Sequence, residues 1–271
     1  MTGIIIRRGN VMQSRNGELQ QRHDGSFAWK TIASLLRSLP GLRGAWIANS
    51  FDENGDLYDL SGQGRTLSYN GNPLYHQGGL VPRIQFDGTG DYLSRADEAG
   101  LDILGTEAYV APAIRGLTCG GWFRFDRLTN NEKLISKMGA LAADQAYQLE
   151  FRGDVANDPV RFQVGDGAAV DTVALNSVVD TTSKWYFCAG RFDPSTEIKV
   201  WAGSTTLESN TNVAGIPAAL ANSGSSLAVG GSPAGTSLLD GAMSCCFLCA
   251  AYISDAQVAA IWHHTRALYG H

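Results

Sequence analysis

Apolar and polar residues alternate in short runs along most of the chain after residue 41, and clusters of Gly, Asn, Asp and Ser separate the runs. The clearest run is 146–152, where Tyr, Leu and Phe alternate with Gln, Glu and Arg. Because neighbouring side chains of a strand point to opposite faces, this pattern predicts a strand with one buried and one solvated face. Similar runs, which also predict antiparallel strands, lie at 161–165, 184–192, 197–201 and 226–230.

The C-terminal part of the chain departs from this alternation. Apolar or small residues occupy both faces of 241–253, which predicts a strand covered on both sides. Residues 254–257 have the sequence of a capping box, which marks the start of a helix. Apolar residues then continue at helical spacing and predict a C-terminal helix that packs on the sheet: Val258, Ile261, Trp262 and Leu268.

The N-terminal part has a different pattern. Residues 1–26 start apolar and continue polar, broken by glycines, which predicts an extended arm with a hairpin at Asn16 and Gly17. Apolar residues of 27–39 fall near helical spacing, with Ser26 as a cap and Pro40 as a stop. We therefore predict an assembly or anchoring segment at 1–41, made of the arm and a short helix, and one β-sandwich domain at 42–271.

Several segments, in order, resemble one known family. Residues 58–64 have the sequence Tyr-Asp-Leu-Ser-Gly-Gln-Gly, 84–93 have Ile-Gln-Phe-Asp-Gly-Thr-Gly-Asp-Tyr-Leu, and 117–125 have Leu-Thr-Cys-Gly-Gly-Trp-Phe-Arg-Phe. Over about residues 42–268 the chain is similar to the laminin-G-like, concanavalin-A-like jelly-roll domains. The resemblance implies an all-β fold: a two-sheet antiparallel jelly-roll sandwich, here preceded by an arm and a short helix and followed by a C-terminal helix. It also implies carbohydrate binding, protein adhesion or structural scaffolding, without choosing among them.

Charge is distributed unevenly along the chain. Residues 1–43 hold seven basic and two acidic residues, a balance of +5, and the remainder holds 14 basic and 24 acidic residues, a balance of −10. This asymmetry predicts an arm that docks on an acidic neighbour. Nucleic acid is disfavoured as a partner, because the arm has no run of clustered Lys and Arg and no known binding motif. No apolar run approaches the roughly 20 residues that span a bilayer, so we expect no membrane insertion.

The predicted chemistry of the chain is binding. No strand carries acids at the alternating positions that glycan hydrolysis needs, and no nucleophile, zinc or phosphate-loop motif is present. We therefore predict that the protein is not an enzyme. The five cysteines are an odd number and three lie in the apolar strand at 241–253, which indicates buried free thiols. Cys246 and Cys249 are three apart on a strand and should point to opposite faces, and His263 and His264 diverge on a helix, so neither pair predicts a metal site.

Three candidate ligand positions remain. The resemblance implies a structural calcium ion at Asp59, but Ser244 and Cys245 stand where the family has an acidic pair, so Asx-type turns at Asp59 and Asp87 are favoured and no cofactor is predicted. Trp122 and Trp201 fall opposite the larger apolar set of their strands and are candidates for exposed, sugar-stacking rings. Burial of these two rings under a neighbouring element is the commoner arrangement for such residues.

Two functions stay open. The first is a structural component of a large assembly such as a viral or phage particle, for example a decoration, fibre or tail protein that is synthesised in the cytoplasm without a signal peptide. The arm would then anchor it to copies of itself or to other structural proteins through Ile4, Ile5, Ile6, Arg7, Arg8, Val11 and Arg15. The alternative is a carbohydrate- or cell-surface-binding module that acts at the extracellular surface.

Overall fold

The structure is a computed structural model that describes residues 4–7, 10–15, 18–20, 26–77, 81–107 and 115–271. Its fold consists mainly of β-strands. The strands are β1 (Ile4–Arg7), β2 (Asn10–Arg15), β3 (Glu18–Gln20), β4 (Leu42–Phe51), β5 (Leu57–Asp59), β6 (Ser68–Asn70), β7 (Leu74–His76), β8 (Arg83–Asp87), β9 (Tyr92–Arg95), β10 (Leu117–Phe125), β11 (Asn131–Met138), β12 (Gln145–Arg152), β13 (Val160–Gly165), β14 (Val170–Leu175), β15 (Trp185–Asp193), β16 (Glu197–Gly203), β17 (Glu208–Asn212), β18 (Leu227–Val229) and β19 (Asp240–Cys249). The helices are α1 (Ser26–Arg37) and α2 (Asp255–Thr265), with short 3₁₀ turns at Ala142–Asp144 and Arg266–Tyr269.

Two antiparallel sheets form a sandwich. One has nine strands in the order β17-β16-β15-β10-β19-β4-β5, and β8 also pairs with β19 and carries β7 on its other side. The second has seven strands in the order β14-β13-β12-β11-β18-β9-β6. Neighbours in both sheets are often distant in sequence, as where β19 lies between β10 and β4, which is how jelly-roll connections build a sandwich. The predicted fold class is confirmed.

The main core lies between the sheets and follows from the alternation in the sequence. In β12 the side chains of Tyr147, Leu149 and Phe151 are fully buried and belong to the cluster between the sheets. The strand predicted at 146–152 is therefore confirmed, but its predicted solvated face is wrong, because Gln148 and Glu150 on that face are also buried. The other predicted runs also form strands, as β13, β15, β16 and β18.

A second apolar layer covers the outer face of the nine-stranded sheet. It joins residues of α1, such as Ile32 and Leu36, and of α2, such as Val258 and Ile261, to the outward side chains of the sheet. In β19, Cys246 belongs to the core between the sheets, while Cys245 and Cys249 belong to this outer layer. The strand predicted to be covered on both sides is confirmed, but a solvated outer face for this sheet is wrong where the two helices cover it.

Helix α2 begins as its sequence predicts. The Ser254 side chain accepts from the backbone N–H of Gln257, and the Gln257 side chain accepts from the backbone N–H of Ser254. This reciprocal capping satisfies two of the N–H groups that a helix start leaves free. Val258 and Ile261 then point onto the sheet and are buried.

The five cysteines are free and buried, as predicted. Burial raises the pKa of the Cys119 thiol to about 12. It raises the pKa of Cys245 to about 11, although a hydrogen bond with the Tyr269 hydroxyl opposes the shift. These thiols are therefore protonated and unreactive at neutral pH.

The last strands of the two sheets, β14 and β17, are tied together along one side of the sandwich. The side-chain amide of Asn210 donates to the carbonyl of Ala174 at 2.7 Å, and that of Asn212 donates to the carbonyl of Thr172 at 3.1 Å. These amides occupy backbone acceptors that an open sheet edge would offer to another chain.

The N-terminal strands form a sheet of their own. β1 and β2 pair antiparallel with Ile6 opposite Val11, and β2 and β3 pair with Arg15 opposite Glu18, on either side of the predicted hairpin residues. Asn16, Gly17 and Arg8 lie outside the described residues. Among the residues that the structure describes, no strand of the sandwich pairs with this sheet. The roles predicted for the arm residues stay predictions.

Helix α1 belongs structurally to the sandwich surface. Its Ile32 and Leu36, and Leu39 just after it, are buried in the outer apolar layer. The division at residue 41 stays a prediction, although a helix assigned to the arm shares a hydrophobic cluster with the sandwich. In the described ranges, no helix has the length and apolar character needed to cross a bilayer.

Candidate functional site

Trp122 is a buried core residue. Its ring stacks on Tyr269 with centroids 4.1 Å apart and meets Phe187 edge to face. Its indole N–H donates to the hydroxyl of Thr265, at the C-terminal end of α2, at 2.8 Å. The prediction of an exposed ring is wrong for Trp122, because the C-terminal segment covers the outer face of β10.

Trp201 is also almost wholly buried, with 4% of its surface exposed. The guanidinium of Arg191 lies 4.9 Å from its ring centroid and the ammonium of Lys199 lies 5.3 Å away. Because cations already occupy the space near its ring, Trp201 has no open aromatic face on which a sugar could stack. The prediction of an exposed ring is therefore wrong for Trp201 too. The small part of Trp201 that remains accessible contributes to the lining of a surface groove.

This groove lies between α2 and the hairpin of β16 and β17, on the outer face of the nine-stranded sheet, and has a volume of about 670 Å³. We call it the α2 groove. Its lining residues are Trp201, Thr205, Thr206, Leu207, Ser209, Asp255, Ala256, Ala259, Ala260, Trp262, His263 and His264. Three of the helix residues in this lining are alanines, whose small side chains leave space between the helix and the hairpin.

Trp262 fixes the hairpin against the helix. Its indole N–H donates to the carbonyl of Ser204 at 3.2 Å. Arg266 packs over the Trp262 ring at 4.7 Å and donates to the carbonyl of Thr205 at 3.2 Å. The two sides of the α2 groove are therefore held at a set spacing before any ligand arrives, which lowers the entropy cost of binding.

The lining of the α2 groove combines apolar and polar side chains. Thr205, Thr206 and Ser209 are exposed on the hairpin, and the exposed rings of His263 and His264 lie at the helix end, 5.8 Å apart. The side chains of His263 and His264 are thus accessible to solvent.

The negative charge at the start of α2 is already compensated. The two oxygens of Asp255 accept from Arg191 at 2.7 Å and from Lys199 at 2.6 Å. Burial opposes ionisation, but these hydrogen bonds outweigh it and lower the pKa of Asp255. The α2 groove therefore offers hydroxyl, imidazole and apolar contacts without a free carboxylate charge at this end.

Asp59 acts as a turn residue. Its carboxylate accepts from the backbone N–H groups of Ala45, Ser61 and Arg65 at 2.8 to 3.0 Å, and from the Ser61 hydroxyl at 2.6 Å. Asp87 makes the corresponding turn bond with the N–H of Thr89. The Asx-type turns favoured by the sequence are confirmed. Among the described residues, no group of three His, Cys, Asp or Glu side chains is arranged to hold a metal ion.

The carboxylate of Glu150, on the face of β12 that points away from the core between the sheets, is also paired with cations. Glu150 is fully buried and its carboxylate contacts Lys133, Arg161 and the amide of Gln148. On the same strand face, Gln148 and Arg152 stand at the alternate positions where a retaining glycosidase would need a second acid. This face of the seven-stranded sheet carries a structural network in place of a carboxylate pair.

Of the residues that line the α2 groove, the sequence indicates only Trp201 as a ligand candidate. Its pattern predicts packing for Trp262 and gives no signal for Thr205 and Thr206. The hairpin and the helix that form the α2 groove lie about fifty residues apart in sequence, so their proximity follows only from the fold.

These features define a lectin-like β-sandwich with a preformed surface groove. A sequence profile described as the concanavalin A-like lectin/glucanases superfamily matches residues 87–259, which is more than half of the chain. The protein therefore belongs to this laminin-G-like family, as its sequence resemblance predicted. A search of curated protein sequences finds no match.

Solved structures share the fold. The binding domain of botulinum neurotoxin serotype G superposes with a TM-score of 0.61 at 11% identity, over 82% of this chain and 51% of that one. The serotype D ligand binding domain in complex with N-acetylneuraminic acid gives 0.60 at 10% identity, over 86% and 52%. The binding domain of neurotoxin DC in complex with rat synaptotagmin II gives 0.60 at 9% identity, over 85% and 52%. The chain spans about half the length of these proteins.

Proposed function

We propose that the protein is a non-catalytic module that binds glycans of an extracellular surface in the α2 groove. The observation that carries the proposal is a preformed groove of about 670 Å³ whose lining combines apolar side chains with hydroxyl and imidazole groups. This volume falls within the ~300–1,000 Å³ of ordinary ligand sites. A sugar ring has apolar C–H faces and a polar rim, so it complements such a surface.

The fold relatives support a binding role. Two of them are described as bound to N-acetylneuraminic acid and to synaptotagmin II. Their low identity carries over the fold alone, so the ligand of this chain has to be argued from its own residues. A binding role also agrees with the arrangement on β12, where the carboxylate of Glu150 is buried and already paired with Lys133 and Arg161.

The test is to fill the α2 groove. Ala259→Trp places a large ring in the groove from an exposed helix position, and Ala267→Trp places the same ring at an exposed position outside it. We expect wild type and Ala267→Trp to bind the same glycans on an array, and Ala259→Trp to bind them at least tenfold more weakly by calorimetry. Equal binding by both variants, or no glycan bound by wild type, would contradict the proposal.

Assembly through the arm is the second candidate. What favours it is the separate N-terminal sheet, which makes no strand pairing with the sandwich in the described part of the chain. Light scattering after size exclusion should compare the full chain with a version that begins at Ser26 and keeps α1. Oligomers of the full chain alone would support assembly, including incorporation into a virion, whereas two monomers would exclude self-assembly through the arm.

A further inference from the structure

A smaller recess lies at the edge of the seven-stranded sheet, where β6 meets β9. It has a volume of about 260 Å³ and is lined by Ser68, Ser94, Arg95, Ala96, Asp97 and Glu98. We call it the β6–β9 recess. In contrast to the α2 groove, every side chain that lines it except Ala96 is polar or charged.

A buried lysine fixes one carboxylate of the β6–β9 recess. The side chain of Lys137 is 0% exposed, and its ammonium contacts Asp97 at 2.5 Å and Asp102 at 3.0 Å. It also donates to the carbonyls of Ser223 and Ser225, at 2.5 and 2.8 Å. Lys137 therefore holds the segment after β9 against a second loop, while the side chain of Asp97 remains 36% exposed to the recess.

A second buried cation fixes the other carboxylate. Arg65, with a side chain 9% exposed, contacts Glu98 at 2.5 Å and donates to the carbonyl of Arg43 at 2.8 Å. Arg95 contacts the other oxygen of Glu98 at 2.9 Å. Burial opposes ionisation, but the hydrogen bonds from Arg95 and Arg65 outweigh it and lower the pKa of Glu98. Both carboxylates are thus held in place by buried cations without a ligand.

The charged side chains at the β6–β9 recess are largely paired with one another. Arg65, Arg95 and Lys137 supply three positive charges, and their partners Asp97, Glu98 and Asp102 supply three negative charges. Asp56, which accepts from the Ser68 hydroxyl, adds a fourth negative charge, so the recess disfavours an anion and has no unpaired cation to attract one. What remains is a dense set of directed hydrogen-bonding groups.

The hydroxyls of the recess keep free hydrogen-bonding capacity. Ser94 Oγ accepts from the amide of Asn70 at 2.9 Å, which leaves its proton to donate. Ser68 Oγ donates to Asp56 at 3.1 Å, which leaves its lone pairs to accept. Together with the exposed part of Asp97, the recess presents donors and acceptors side by side, an arrangement that matches vicinal hydroxyl groups.

We infer that the β6–β9 recess is a second ligand site, specific for a neutral polyhydroxylated ring such as one monosaccharide unit. Its volume lies below the ~300 Å³ at which ordinary ligand sites begin, so it fits a single ring better than a longer chain. The inference rests on the proposed glycan-binding function and adds a site that is independent of the α2 groove. The two sites lie on different sheets of the sandwich.

The experiment uses a matched pair of substitutions in one loop. Ala96→Trp fills the recess from an exposed position, and Ala99→Trp places the same ring three residues further on, at an exposed position outside the lining. Binding is followed by changes in backbone amide NMR signals of the full chain. The probes are glucose, galactose, mannose and N-acetylglucosamine, with glucuronate and glucosamine as charged counterparts.

We expect a neutral sugar to shift the amide signals of Ser68 and Ser94 in wild type, Ala99→Trp and the groove variant Ala259→Trp. Ala96→Trp should bind that sugar at least tenfold more weakly. Unchanged shifts in Ala96→Trp, or tighter binding of glucuronate or glucosamine than of any neutral sugar, would overturn the inference. Loss of all binding in Ala259→Trp alone would overturn it while leaving the proposed function standing. No binding of any of these sugars by wild type would also overturn it, whereas failure of the proposed function is read separately from the glycan array.

Discussion

At the scale of single residues, a buried side chain whose polar atom is hydrogen-bonded is one whose substitution should lower stability. The indole N–H of Trp122 has one acceptor, the hydroxyl of Thr265, which itself donates to the carbonyl of Ile261 at 2.7 Å. This chain of hydrogen bonds links β10 to α2 through the buried outer layer. Polar groups in such a layer cost free energy when they lose a partner.

Thr265→Val tests this link while keeping the shape of the side chain. The substitution leaves the indole N–H of Trp122 without an acceptor, so we expect the free energy of unfolding to fall by about 1–3 kcal/mol. Urea denaturation followed by tryptophan fluorescence measures it. The exposed Thr182→Val serves as a control and should change stability little. Equal stability of the two variants would show that the bond contributes nothing.

Glu132 predicts a pH dependence of stability. It is fully buried beside Arg127, and burial raises its pKa from 4.5 to about 8 against the opposing charge of Arg127. A raised pKa means that the folded protein favours the protonated form. The stability that this preference contributes is complete below about pH 4.5 and is lost as the pH rises through about 8.

Glu132→Gln should remove that dependence, because the amide has the shape of the protonated acid and does not ionise. The melting temperature of wild type relative to the variant should therefore decrease as the pH rises from about 5 to about 9. Melting of both proteins across this range is the measurement. A constant difference between them would mean that Glu132 does not titrate in this window.

At the scale of elements, the helices complete the nine-stranded sheet. Sequence alternation correctly predicted which side of β10 and β16 Trp122 and Trp201 occupy. The exposure inferred from that side is wrong, because alternation says nothing about whether a helix from elsewhere in the chain covers it. The doubly apolar pattern of 241–253 carried that information, since a strand needs apolar residues on both faces only when both are covered.

Two truncations test the place of α1. A chain that begins at Ser26 keeps Ile32, Leu36 and Leu39 in the outer layer, whereas a chain that begins at Gly41 loses all three. At ~1.5–3 kcal/mol for each buried side chain, the shorter chain should be less stable by roughly 5 kcal/mol or more. Denaturation of both versions measures the difference. Identical stability would place α1 with the arm rather than with the sandwich.

At the scale of the whole molecule, the sandwich was predictable and its recesses were not. The strands, the core and the closing helix follow from local periodicity, which the sequence contains directly. The α2 groove joins residues near 205 to residues near 260, and the β6–β9 recess depends on Lys137, which is about forty residues from the carboxylate that it holds. Such juxtapositions depend on strand order, which local patterns do not encode.

The hydrogen bonds from Asn210 and Asn212 of β17 to carbonyls of β14 predict that the protein resists aggregation through this sheet edge. Asn210→Ala with Asn212→Ala removes the amides that occupy the carbonyls of β14, and it leaves that edge open to strands of other molecules. We expect the double variant to aggregate faster than wild type on shaking or mild heating, as followed by light scattering. Asn54→Ala, at an exposed turn, is the control. Equal aggregation of all three would indicate that the edge is protected by other means.

The placement of the two recesses on different sheets has a geometric consequence. A ligand in the α2 groove approaches from the side of the nine-stranded sheet, and one in the β6–β9 recess approaches from the edge of the other sheet. Because the two sites lie on different sheets, each can hold its own ligand. With both sites filled, a single copy would act as a bridge between separate surfaces, so that even a monomer could agglutinate particles coated with the matching sugars.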